Sequence, residues 1–246
     1  MPPGSTRPGH VVRGSAPRGL ARLLVPLLIV TGYGLLARPR LLCWGATRAE
    51  AAGALPGDEL VPKAGYRTTR AVTIAAPPDA VWPWLVQLGQ GRAGFYTYDR
   101  LERLAGAAIH NVDHVVPELQ QLAVGDVVPL SPVGGPTVAR FEPNRLLVLH
   151  DRMDVRTARS LPISSSQPYT VHWTWAFVLR PVGDSATRLL LRLRASFVPR
   201  RRLAPLIPTL FEPAVFIMER GMLRGIRARA TRAAVASAAP VRPDVG

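Results

Sequence analysis

The sequence has one cysteine, one lysine and only 16 acidic residues. Because Cys43 stands alone, an internal disulfide and a cysteine-rich metal site are both excluded. Lys63 is the single lysine, so arginine supplies the other 30 of the 31 basic residues and the net charge is +15. The hydrophobic fraction of 48% is ample for a packed core, which excludes wholesale disorder.

The positive charge is concentrated at the two ends of the chain. Residues 1–48 carry seven arginines and no acidic residue, and residues 200–246 carry nine arginines against three acidic residues. The segment between them has a net charge of only +2. Basic ends suit an anionic membrane surface or a phosphate-rich partner, but no recognised nucleic-acid-binding module accompanies them. We therefore expect a membrane lipid surface as a partner, and no nucleic acid.

The N-terminal region predicts an arm followed by an apolar helix. Residues 1–19 are rich in Pro, Gly, Ser and Arg and predict a disordered arm. Residues 23–37 are uncharged but fall short of the ~20 residues that a helix needs to cross a bilayer. Apolar residues on both sides can lengthen the span if the arginines that flank it extend their charged ends to the membrane surface. We expect a membrane anchor over 20–44, of undetermined orientation. A cleaved signal peptide and a helix of a soluble domain are the alternatives. Cys43 is either a lipidation site or a buried or membrane-facing thiol.

Residues 68–236 have the pattern of one α+β domain, between a connector over 45–67 and a loose tail over 237–246. Branched and alternating residues predict strands over 68–74, 126–130, 137–141, 146–150, 171–180 and 188–197. Apolar residues at helical spacing predict a helix from Pro78 and a long helix over 208–236. Such a helix can cover one face of an antiparallel sheet.

The glycine-rich segment Gly89–Gly94 has two interpretations. It looks superficially like a phosphate cradle, but it follows a helix instead of a strand and lacks the lysine of a phosphate-binding loop. A flexible turn before a second helix over about 98–106 explains it better.

The element order and the run Ala76–Leu85 resemble the opening of the START/Bet v 1-like superfamily, called SRPBCC. Further runs resemble its uncharacterised bacterial branch labelled polyketide cyclase/dehydrase-like: Gln87–Asp99, Ile109–Asn111, Val116–Glu118, Gly125–Asp126, Thr174–Trp175, Met218–Arg220 and Met222–Ile226. Ala93 departs from this branch, where we expect glycine. The resemblance implies a helix-grip fold, in which an antiparallel sheet wraps around the C-terminal helix, with a hydrophobic ligand cavity. It implies no particular reaction, because fold does not determine function.

Polar residues between the first helix and the later strands supply candidate chemistry. His110, with Asp99 or Glu118, is the candidate for proton exchange with a bound enol or carbonyl, because imidazole titrates near neutral pH. Tyr96 and Tyr98 are candidate hydrogen-bond donors to a developing oxyanion, and Asn111 is a candidate ligand contact. The alternative is that Asp99, His110 and Asn111 only hold a turn together through backbone hydrogen bonds.

The remaining candidate residues are two aromatic residues that we expect in a cavity wall and two histidines that we do not expect to bind a metal. Trp175 and Phe177 are two apart in a predicted strand and therefore share one face. The resemblance implies that this face lines the cavity, because its motif Thr174–Trp175 includes Trp175. His110 and His114 have a zinc-like spacing without a third ligand, so we expect no metal and no cofactor.

The leading hypothesis is a membrane-associated protein that binds a hydrophobic small molecule, lipid or polyketide-like, in an internal cavity. A cyclase or dehydratase that uses His110 is one alternative. A non-catalytic interaction protein at the membrane is the other.

Overall fold

The computed structural model describes residues 31–97, 111–198 and 206–238, in two units that cover 1–40 and 41–246. The described part of the first unit contains a π-helical turn, Tyr33–Ala37, and the start of the helix α1, Arg38–Leu42. Within these described ranges, no helix is long and apolar enough to cross a membrane. The predicted arm and residues 20–30 of the predicted anchor lie outside them.

The second unit is an antiparallel sheet with a long C-terminal helix, which confirms the predicted α+β helix-grip class. Its elements are α2 (Arg48–Ala52), β1 (Tyr66–Ile74), α3 (Pro78–Val86), β2 (Thr137–Glu142), β3 (Leu146–Asp154), β4 (Ser160–Leu161), β5 (Thr170–Val182), β6 (Ala186–Val198) and α4 (Leu206–Ala238), with single 3₁₀ turns at Asp58–Leu60 and Pro117–Leu119. The strands form one sheet in the order β1-β6-β5-β3-β2, and β4 pairs with the end of β3.

The inner face of the sheet packs against α4. Side chains alternate along β5 and β6, so every second residue points to this face. Phe177 and Leu191, which are paired across the two strands, are fully buried there. They belong to one hydrophobic core with Met222 and Ile226 of α4.

Residues 45–62, here called the outer strap, cover the opposite face of the sheet. Leu55 of the strap packs in a second apolar cluster with Val148 and Leu190. Arg192 of β6 is fully buried beneath the strap, where its guanidinium donates to Asp58 and to the backbone carbonyl oxygens of Glu50 and Gly53. The segment predicted as a connector is therefore part of the packed fold.

The predicted strands differ from the structure in two places. The predicted strand over 126–130 is wrong, because this segment forms a single isolated bridge, between Val127 and Thr137. Pro129 has no N–H to continue a ladder. The short strand β4 has no counterpart among the predicted strands. The predicted second helix over 98–106 lies outside the described residues.

The glycine-rich segment forms a tight turn. Gly89 and Gly94 form an antiparallel bridge and have φ angles of +137° and +78°, in the left-handed half of conformational space that glycine tolerates. Of the two interpretations of Gly89–Gly94, the structure therefore agrees with a turn.

Candidate ligand cavity

A cavity of about 450 Å³ lies between the inner face of the sheet and α4. Its walls come from β1, β3, β5, β6, α4 and the turn that contains Phe95 and Thr97. Three lining residues are well exposed, namely Val155 at 44%, Phe211 at 59% and Met218 at 50%. These residues mark where the cavity meets the surface.

The sheet wall of the cavity is apolar because of strand register. On β5 and β6, Val171 lies opposite Phe197, Trp173 opposite Ala195 and Trp175 opposite Leu193, and all six residues line the cavity. The alternation of strand residues puts these pairs on the inner face. Small Ala195 beside bulky Trp173 leaves room that a larger side chain would fill.

The helix wall follows from the apolar stripe of α4. Phe211, Val215, Met218 and Met222 recur at spacings of three and four, so they lie on one side of the helix and line the cavity. The apolar face that predicted a sheet-covering helix is therefore also a cavity wall.

One charged residue interrupts this apolar lining. Glu219 of α4 lines the cavity and is 4% exposed. Its Oε1 accepts a hydrogen bond from Trp175 Nε1 at 3.0 Å, and its Oε2 accepts one from Arg70 Nη1. A buried carboxylate needs such partners to remain ionised, and here an indole and a guanidinium supply them.

The cation of this pair lies behind the cavity wall. Arg70 of β1 is fully buried and also donates from Nε to the carbonyl oxygen of Leu41 at 3.0 Å. Burial lowers the pKa of the Arg70 guanidinium, while Tyr66 and Glu212 act in the opposite direction. Arg70 is not among the cavity-lining residues, and its guanidinium hydrogen-bonds to Glu219 instead of facing the cavity.

Sequence reasoning missed both members of the Arg70–Glu219 pair. The available signal was position, because Glu219 falls within the apolar stripe of α4, four residues after Val215 and three before Met222. A carboxylate on the buried face of a helix needs a buried partner.

The predicted polar cluster contributes a structural turn. Asn111 Oδ1 accepts backbone hydrogen bonds from Phe95 at 3.1 Å and from Tyr96 at 2.5 Å. Gln87 is fully buried and donates to Tyr96 Oη at 2.8 Å. Burial raises the pKa of the Tyr96 phenol, and the residue has a left-handed φ of 56°. These contacts fix the turn whose neighbouring residues, Phe95 and Thr97, line the cavity.

The other predicted site residues are dispersed or undescribed. Trp175 lines the cavity, whereas Phe177 lies in the core with its ring centroid 5.0 Å from that of Trp175. Glu118 is exposed in a 3₁₀ turn and is not among the cavity-lining residues. Tyr98, Asp99 and His110 lie outside the described residues, so the proposed acid–base set stays a prediction.

A histidine pair lies on the outer face of the sheet, away from the cavity. His150 Nε2 and His172 Nε2 are 2.6 Å apart, so one imidazole donates to the other. Burial lowers the pKa of His172 to about 4, with further contributions from His150 and Arg152, and burial also lowers the pKa of His150. Within the described part of the chain, no three His, Cys, Asp or Glu residues form a group that could hold a metal ion.

No family model and no curated protein matches the sequence. Among solved structures, similarity extends to a protein from Mesorhizobium loti, with 18% identity over 68% of this chain and 98% of that one at a TM-score of 0.36. A hypothetical protein from Helicobacter pylori has 14% identity over 75% and 99% at a TM-score of 0.43. A norcoclaurine synthase point mutant from Thalictrum flavum, in complex with a transition-state analogue, has 13% identity over 68% and 94% at a TM-score of 0.38.

All three TM-scores lie below 0.5, so these likenesses say nothing about the ligand or activity of this chain. The fold class rests on the chain's own topology, a six-stranded antiparallel sheet that packs against a C-terminal helix.

Proposed function

We propose that this protein binds a hydrophobic small molecule in the cavity between its sheet and α4. The observation that carries the proposal is the cavity of about 450 Å³, whose lining is apolar except for a few polar groups. Small-molecule sites are typically concave, mostly apolar and roughly 300–1,000 Å³ in volume. Transfer of apolar ligand surface from water would supply the main driving force.

The cavity-lining residues also favour a carrier or receptor over a structural void. Empty voids of this size are uncommon in close-packed interiors. Exposed Phe211 and Val155 give the cavity access to the surface, so a ligand can enter without global unfolding.

The proposed function includes association with an anionic membrane surface through the N-terminal region. Its support is sequence composition: seven arginines without an acidic residue over 1–48, and the apolar stretch over 23–37. The full chain should cosediment with phosphatidylglycerol vesicles. Equal binding to pure phosphatidylcholine vesicles would contradict an electrostatic contribution, and no binding to either would contradict membrane association.

The ligand-binding proposal is tested by filling the cavity. The probe is the neutral apolar fluorophore N-phenyl-1-naphthylamine, titrated into the full chain. Ala195→Trp adds an indole at a cavity-lining position, so its affinity for the probe should fall at least tenfold. Val182→Trp is the matched control, because Val182 is 48% exposed at the far end of the same hairpin.

Melting temperatures of both variants establish that they are folded. Saturable probe binding that Ala195→Trp weakens and Val182→Trp leaves unchanged supports the cavity as the site. Equal affinity in all three proteins would contradict it.

A further inference from the structure

We propose that the cavity selects an apolar molecule that carries one hydrogen-bond donor, a hydroxyl or amino group, and that Glu219 accepts this hydrogen bond. The inference rests on the proposed ligand-binding function and specifies its ligand class. It follows from the placement of a single carboxylate in an otherwise apolar wall.

Glu219 has acceptor capacity beyond its protein contacts. An ionised carboxylate offers about four lone-pair positions on its two oxygens. The hydrogen bonds from Trp175 and Arg70 occupy one position on each oxygen. Glu219 lines the cavity, and in the proposal its remaining acceptor positions are assigned to a ligand there.

The charge arrangement disfavours anionic ligands. Among the described residues that line the cavity, Glu219 is the one with a charged side chain. Its counter-charge, Arg70, is fully buried and already donates to Glu219 and to Leu41. A fatty-acid carboxylate or a phosphate would therefore meet a carboxylate at short range in a low-dielectric site, where like charges repel strongly.

The other polar side chains of the wall interact within the protein. Tyr66 and Thr97 each make polar or electrostatic interactions within the protein. Burial raises the pKa of the Asp151 carboxyl, and the Trp173 side chain acts in the opposite direction. Glu219 is therefore the charged group in the wall that would accept a hydrogen bond from the ligand.

The position of Glu219 also orients the ligand. Along α4 the lining extends from Phe211 to Met222, which are eleven positions apart, or about 16 Å at the rise of an α-helix. Glu219 lies near the Met222 end. A ligand anchored there would extend its apolar body towards exposed Phe211.

Three naphthalene derivatives with one body and different head groups test the inference: 2-(2-naphthyl)ethanol, 2-propylnaphthalene and 2-naphthylacetate. Each competes with N-phenyl-1-naphthylamine on the full chain. The alcohol should bind at least tenfold more tightly than the propyl compound and at least a hundredfold more tightly than the carboxylate.

Variants assign the preference to Glu219. Glu219→Gln should reduce the alcohol preference and relieve the discrimination against 2-naphthylacetate. Because Glu219→Gln leaves Arg70 without its carboxylate, the double variant Arg70→Met/Glu219→Leu removes both charges together and should bind the propyl compound at least as tightly as the alcohol.

The possible outcomes distinguish a failure of donor selection from a failure of the proposed ligand-binding function. If 2-propylnaphthalene or 2-naphthylacetate binds wild-type protein as tightly as the alcohol, the donor selection is overturned while ligand binding stands. An alcohol preference that persists in the folded double variant also overturns the role of Glu219. If neither the fluorophore nor any of the three compounds binds, the proposed function itself fails.

Discussion

Gly225 of α4 packs directly against the backbone of Tyr96. A Cβ atom at position 225 would overlap the Tyr96 carbonyl oxygen, far inside van der Waals contact. The Arg229 guanidinium, one helical turn later, lies 4.7 Å from the centroid of the Tyr96 ring. The helix and the turn at residues 95–97 are therefore held together at a site where no side chain fits between them.

Replacing Gly225 with alanine should destabilise the protein. The added methyl group meets backbone instead of a flexible side chain, so α4 or the turn must shift, and overpacking of this kind costs about 1–3 kcal/mol. Urea denaturation measures the change. Gly65→Ala is the control, since nothing lies within 4 Å of its added Cβ. Equal stability of the Gly225 and Gly65 variants would contradict this packing.

The Arg70–Glu219 pair should show strong energetic coupling. Arg70→Met leaves a buried carboxylate without its cation, and breaking a buried pair in this way costs about 3–5 kcal/mol. The double variant Arg70→Met/Glu219→Leu removes both charges and should be more stable than Arg70→Met alone. A double-mutant cycle by urea denaturation tests this. Additive effects of the two substitutions would show that the charges do not depend on each other.

The outer strap should depend on Arg192 for its attachment. Arg192→Leu removes the buried guanidinium that donates to Asp58 and to two backbone carbonyl oxygens, at an expected cost of about 3 kcal/mol. Arg145→Leu is the matched control, because the Arg145–Glu142 pair is exposed and such pairs contribute about 0–1 kcal/mol. Similar losses for both variants would indicate that the strap is not anchored through Arg192.

The histidine pair should make the protein sensitive to mild acid. The pKa of His172 is lowered to about 4 from an ordinary value near 6.5. Between these values the unfolded chain binds more protons than the folded one, so stability falls as the pH drops from 6.5 towards 4. His150→Gln/His172→Gln should flatten this part of the stability profile measured by urea denaturation.

Exposed His114 supplies the control for the histidine prediction. His114→Gln should retain the wild-type loss of stability over the same pH interval. A double variant at positions 150 and 172 with an unchanged profile would contradict a role for the pair.

The fold could be predicted from periodicity because each main element carries a regular pattern. Alternation predicts β5 and β6, and the stripe through Phe211 and Met222 predicts α4; the structure contains all three. The outer strap could not be predicted, because Pro- and Gly-rich residues over 53–62 have no regular period. Its attachment depends on Arg192, which looks exposed in an alternating strand and becomes buried only through tertiary contact.

The candidate site was predicted in part. The resemblance implied that Trp175 and Phe177 face the cavity, and Trp175 lines it. Strand alternation puts both residues on one face but cannot distinguish a lining residue from a core residue, and Phe177 lies in the core. The partnership of Arg70 with Glu219 joins residues 149 positions apart, which no local pattern encodes. Asn111 was predicted either as a ligand contact or as a turn residue, and its contacts to Phe95 and Tyr96 are those of a turn.

The most direct measurement of the central claim is native mass spectrometry of the full chain, purified gently from its natural host. The cavity predicts a reproducible added mass that organic extraction removes and that Ala195→Trp reduces while Val182→Trp does not. A wild-type protein that shows only its own mass, with no saturable binding of N-phenyl-1-naphthylamine, would contradict ligand binding in the cavity.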